Sequence, residues 1–123
     1  MKKVLIVFVF SIFMILIFTV DFPIKGDSLY GKYVNTNYQN TICCVEAPHE
    51  PDTLILFNDG KFESKFYGKG WFEIYNGISP RIQLHYTSFG KAALFNTYFS
   101  NKFFEKTKII LNADMNHTYT KID

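Results

Sequence analysis

Two hydrophobic patterns run along this chain, one continuous and one alternating. From Val4 to Val20 apolar residues follow one another without a charge, broken by Ser11 and Thr19 alone. Beyond Leu29 they come in short runs, and several of these alternate. In Lys61–Phe66, Phe62 and Phe66 share one face while Lys61, Glu63 and Lys65 share the other. In Arg81–Tyr86, Ile82, Leu84 and Tyr86 oppose Arg81, Gln83 and His85. In Trp71–Tyr75, Phe72 and Ile74 face one way and Trp71, Glu73 and Tyr75 the other. Successive side chains of a strand point to opposite sides, so a period of two marks a strand with one buried face.

Turn chemistry separates these runs. Asn58-Asp59-Gly60 is a strong hairpin signal, because Asp-Gly accepts the positive φ angles of tight primed turns. Tyr67-Gly-Lys-Gly70 and Asn76-Gly-Ile-Ser-Pro80 are the next two breaks. The full set of expected strands is Leu29–Val34, Thr53–Phe57, Lys61–Phe66, Trp71–Tyr75, Arg81–Tyr86, Leu94–Phe99, Lys108–Asn112 and His117–Ile122. Gly31 inside the first implies a bend or a close backbone approach. Residues 35–52 form the longest irregular segment, and Pro48 and Pro51 exclude a central strand there. A loop of that length in a small domain is a natural place for function. Eight short strands with close turns predict an all-β fold, a small antiparallel up-and-down barrel or a sandwich. Closure into a barrel removes the exposed strand edges.

Four stretches carry a family resemblance. They are Gly31-Lys-Tyr33, Asp52 to Phe62 with its Asp-Gly hairpin, Gly68-Lys-Gly-Trp-Phe72, and the closing Asp114 to Ile122. Together they resemble small bacterial lipocalin-like exported domains, with Tyr33 where larger lipocalins carry Trp. The resemblance implies a barrel over residues 29–123. It carries over no ligand and no active site, because one fold hosts many functions.

The apolar run at the start is not part of that fold. Met-Lys-Lys followed by an uncharged segment is the layout of an export signal. Its 17 residues, Val4 to Val20, span about 26 Å as a helix, near the lower end of spanning lengths. No Ala-x-Ala-like cleavage site follows. Residues 1–20 are therefore expected to be an uncleaved signal anchor, with a cleaved signal peptide as the alternative. Residues 21–28, with Pro23 and Gly26, read as a tether. Lys2 and Lys3 place the N-terminus in the cytoplasm. The domain then lies outside a cytoplasmic membrane, single-pass, or is secreted or periplasmic after cleavage.

Charge removes one class of partner. The net charge is +2, and setting aside Lys2 and Lys3 leaves 11 basic and 11 acidic residues. The lysines are scattered and Arg81 is the one arginine, so nucleic acid is not expected. The 14 Phe and 8 Tyr are the bias an AT-rich genome produces and carry no function by themselves.

Chemistry is sparse. Cys43 and Cys44 are adjacent, and outside the cytoplasm they can close a strained disulfide ring or stay inert. His49, Glu50 and Asp52 lie near them, but no recognised zinc spacing is present, so no metal and no cofactor is expected. His49, His85 and His117 are all placed on solvent-facing positions, and no catalytic motif surrounds them. The expectation is a membrane-held binding or interaction module with no catalytic activity, which recognises another protein or an envelope component. The alternative is a carrier of a small apolar ligand such as a lipid, held in a cavity lined by Phe62, Phe66, Phe72, Leu84 and Tyr86. With about 95 exported residues a solid core is favoured over a hollow one, because eight strands leave room for side chains or one small ligand. Trp71 and Tyr75 are placed on the outer face, where aromatics mark contact surfaces.

Overall fold

The computed structural model describes residues 1–22, 28–39 and 47–123. Cys43 and Cys44, and most of the expected tether, lie outside the described residues. Helix α1 (Lys2–Thr19) precedes eight strands. These are β1 (Gly31–Thr36), β2 (Thr53–Leu56), β3 (Lys61–Ser64), β4 (Gly68–Tyr75), β5 (Arg81–Ser88), β6 (Lys91–Ser100), β7 (Lys108–Asn112) and β8 (His117–Lys121). Each pairs antiparallel with the next, and β1 also pairs with β8, Tyr33 facing Lys121 and Thr36 facing Thr118. The sheet is thus a closed eight-stranded barrel, as the spacing of runs and turns predicts.

Several boundaries differ from the sequence expectation, and three of the differences bear on turns and packing. β6 begins at Lys91 rather than Leu94, because β5 continues to Ser88 and Phe89-Gly90 makes a two-residue turn. Both turn residues have positive φ, 50° and 76°, the primed geometry that matches strand twist. β4 begins at Gly68, so Gly70 belongs to a strand and not to a turn. An added Cβ at Gly70 would overlap the His85 carbonyl oxygen and press on the Phe62 ring, 2.8 Å away. Glycine is there for a close approach between backbone and core. β3 ends at Ser64, which removes Phe66 from the alternation assigned to it.

The interior is filled. Tyr33, Leu54, Leu56, Phe62, Ile82, Leu84, Ile109 and Tyr119 are all buried in it, with Phe72 and Phe99 beside them. Tyr67 folds in from the β3–β4 turn and packs on Tyr86 (5.0 Å) and Phe95 (5.7 Å). Side chains from all eight strands thus meet in one core, the packed state open to a barrel of this size. At the seam, the Asp123 carboxylate sits over Gly31 and accepts the Lys32 N–H at 2.8 Å. That is the close approach expected at Gly31, whose φ is 134°.

Strand polarity gives the barrel two distinct ends. The turns after β2, β4 and β6, the approach to β1 and the end of β8 share one end. The turns after β1, β3, β5 and β7 share the other. α1 stands at the first of these, the proximal end. Phe18 in its last turn lies 5.9 Å from Phe104 of the β6–β7 turn. Asp21 accepts the Asn101 N–H at 2.8 Å, and the Phe22 N–H donates to the Asn101 carbonyl at 2.9 Å. The long β1–β2 connection therefore sits at the distal end, away from the helix.

Candidate functional site

The distal end carries a cleft built from the return arm of the β1–β2 connection. Ala47, Pro48, His49, Glu50, Pro51 and Asp52 form one wall, and Lys65 and Phe66 of the β3–β4 turn form the other. Its volume is about 430 Å³. Prolines at 48 and 51 keep this arm out of the sheet, since neither can donate to a ladder.

The arm is fastened by side chains that point down into the barrel. Asn35 of β1 grips it twice: its Oδ1 accepts the Asp52 N–H (2.7 Å) and its Nδ2 donates to the Glu50 carbonyl (2.6 Å). Asp52 is buried, and both of its carboxylate oxygens are occupied. Oδ1 accepts the Lys65 N–H at 3.0 Å, and Oδ2 accepts the Tyr119 hydroxyl at 2.5 Å. Burial, and then the Asp52 carboxylate, push the Tyr119 hydroxyl far above the ordinary tyrosine range, so it stays a donor. Ser64, at the end of β3, accepts the Tyr67 N–H at 2.8 Å and so fixes the β3–β4 turn. A buried carboxylate bonded on both oxygens is a fixed structural group. It ties the start of β2, β8 and the β3–β4 turn together under the cleft.

Two histidines stand beside this arm. The His49 ring lies 5.7 Å from that of His117, and His49 Nδ1 is 3.1 Å from the Tyr38 carbonyl. His117 is buried rather than solvent-facing, because it starts β8 beneath the arm. Burial, and then the charge of a protonated His49, lower its pKa, while a hydrogen bond to the Pro48 carbonyl acts the other way. Among the described residues its buried Nε2 has no hydrogen-bond partner. Among the described residues no three His, Cys, Asp or Glu side chains come together as a metal site would require.

The residues proposed to line a cavity divide. Phe62, Phe72 and Leu84 are core side chains packed against their neighbours, and Tyr86 packs at the distal edge of that core. Phe66 does not line the barrel. Once β3 has ended at Ser64, the turn takes Tyr67 inward and leaves Phe66 half-exposed on the cleft rim, edge-on to Tyr67 at 4.8 Å.

A second surface lies on the outer face of β4, β5 and β6. Trp71 stacks on His85 at 3.6 Å with the rings nearly parallel, and Tyr75 donates to Glu73 at 2.5 Å. The Arg81 guanidinium lies over the Tyr98 ring at 5.0 Å. Trp71, Tyr75, Leu94 and Tyr98 each stay about half exposed. The outward placement expected of Trp71 and Tyr75 is the one observed. The arm-to-core bonds had no local signal, since Asp52 and Tyr119 lie 67 residues apart. No family model, no curated protein and no solved structure matches this chain.

Proposed function

We propose that this chain is a membrane-tethered, extracytoplasmic binding module without chemistry of its own, which recognises another protein or an envelope component through the distal cleft. The observation that carries this reading is the contrast between a filled barrel and an open, fastened cleft at the end opposite α1. Described side chains occupy the interior, so a lipid carrier would have to displace Phe62, Leu84 and Tyr119 from a close-packed core. The cleft needs no such displacement. Its floor is held by Asn35 and Asp52, and its rim offers Phe66 beside the charges of Lys65 and Glu50. A preformed surface of that kind loses little entropy on binding. The tether is α1, long and apolar enough to cross a membrane. Its Lys2 and Lys3 favour a cytoplasmic N-terminus, which leaves the cleft facing away from the bilayer.

The experiment is cross-linking in native membranes from a photoreactive residue at position 66. The expected result is one recurrent adduct, lost on Lys65→Glu while the barrel stays folded. Adducts that survive Lys65→Glu, or arise equally from position 94 on the outer face, would move the binding surface away from the cleft.

A further inference from the structure

The proximal end is unlike the rest of the surface. Its turns expose large apolar side chains at their tips: Ile78 is 97% exposed and Phe104 81% exposed. Phe57, Phe103 and Ile122, all exposed, lie at the same end. Phe104 holds a φ of 65°, a conformation that bulky residues rarely adopt. Its ring is 4.0 Å from that of Phe103, so the two form one apolar knob on the β6–β7 turn. At the distal end Phe89 is a comparably exposed ring, but it stands alone on its turn.

Basic side chains surround these tips. Lys61, Arg81, Lys102, Lys106 and Lys108 belong to the proximal turns and strand ends, against Asp59 and Glu105. Asp21 and Asp123 also lie there as anions, accepting the Asn101 and Lys32 N–H groups respectively, and Lys32 and Lys121 beside Asp123 add two further cations, Lys121 at 3.5 Å from it. An apolar tip ringed by cations is the composition of a membrane-interface contact, where aromatics sit at headgroup level and lysines meet anionic lipid.

Depth comes from α1. Phe18 is in the last turn of a helix whose side chains are exposed along nearly its whole length. Its ring lies 5.9 Å from that of Phe104, and Phe22 lies 6.5 Å from Phe103. A bilayer that takes up the end of α1 must also take up the knob beside it. We infer that the proximal end of the barrel is a lipid-docking face, seated on an anionic membrane surface with the Phe103–Phe104 knob and Ile78 in the interface. This rests on the tether reading of α1. It goes beyond a tether because Ile78 belongs to a different turn, which α1 alone would leave free to swing in water.

The test uses the full chain in vesicles of phosphatidylcholine with about one third phosphatidylglycerol, made with and without bromine on the acyl chains. Trp71 is the single tryptophan and is first replaced in Trp71→Phe. Ile78→Trp, Phe104→Trp and, at the distal end, Phe89→Trp are then read one at a time, with circular dichroism confirming the barrel. If Trp71→Phe does not fold, the same three positions are read by difference with Trp71 retained. Flotation with the vesicles reports the tether by itself. The expected result is loss of emission and a blue shift in brominated vesicles at positions 78 and 104, with neither at 89. A chain that does not float overturns the tether and the docking face with it. A chain that floats with position 104 quenched and 78 unaffected overturns the face and leaves the tether. Equal quenching at 78 and 89 also overturns it.

Discussion

Burial of His117 makes one corner of the molecule sensitive to pH. In the folded chain His117 is buried beneath the Pro48–Asp52 arm, and burial is the main cause of its lowered pKa. The unfolded chain therefore binds that proton more readily than the folded one. Stability is greatest above the ordinary histidine value of about 6.5 and is lost as pH falls through it towards the lower folded value. We expect the urea midpoint to drop between about pH 7.5 and about pH 5, and His117→Gln to flatten that drop. A pH profile unchanged by the substitution would show that His117 does not carry the effect. The sequence placed His117 at the start of the last strand but left it facing solvent. Period-two reasoning assigns a face within a strand. It cannot see an arm arriving from Pro48, 69 positions earlier in the chain, to cover that face. For the same reason the sequence left Asp52 in a polar, exposed loop, whereas the fold buries it to hold Tyr119 and the Lys65 amide.

At the scale of elements, the alternating runs were the most legible part of the chain. Lys108–Asn112 matches β7, and the inward positions of Phe62, Phe72, Ile82 and Leu84 follow directly from their spacing. Boundaries were less legible wherever glycine served packing instead of turning. Gly68-Lys-Gly70 has the composition of a turn, yet β4 runs through it because Phe62 and the β5 backbone need the space a Cβ would fill. Gly70→Ala is therefore expected to destabilise by about 3 kcal/mol, at the upper end of overpacking effects. Gly77→Ala, where an added Cβ meets nothing within 4 Å, should shift stability by no more than about 0.5 kcal/mol. Chemical denaturation of the pair checks this, and equal effects would mean that β4 and β5 can part locally. The early start of β6 was hidden by Ala92 and Ala93, which have weak strand preference. Eight residue pairs along β5 and β6 hold them extended regardless.

For the whole molecule, closure and a shared core predict a single cooperative unit. The fluorescence of Trp71 on β4 and the circular dichroism of the sheet should report the same urea transition. Separated transitions would show that part of the barrel opens alone. The barrel itself was legible from strand count and turn spacing. The two unlike ends were not, because they emerge only once strand direction assigns each turn to one side. The β1–β8 seam bears on timing as well as stability. Thr36 and Thr118 meet across it although 82 residues separate them. A chain made N-terminus first delivers β8 after every other strand described here. Until it arrives, β1 lacks one neighbour, β7 lacks another, and no closed cylinder exists. The ordering of the strands thus leaves the sheet open along one seam until the last strand is made.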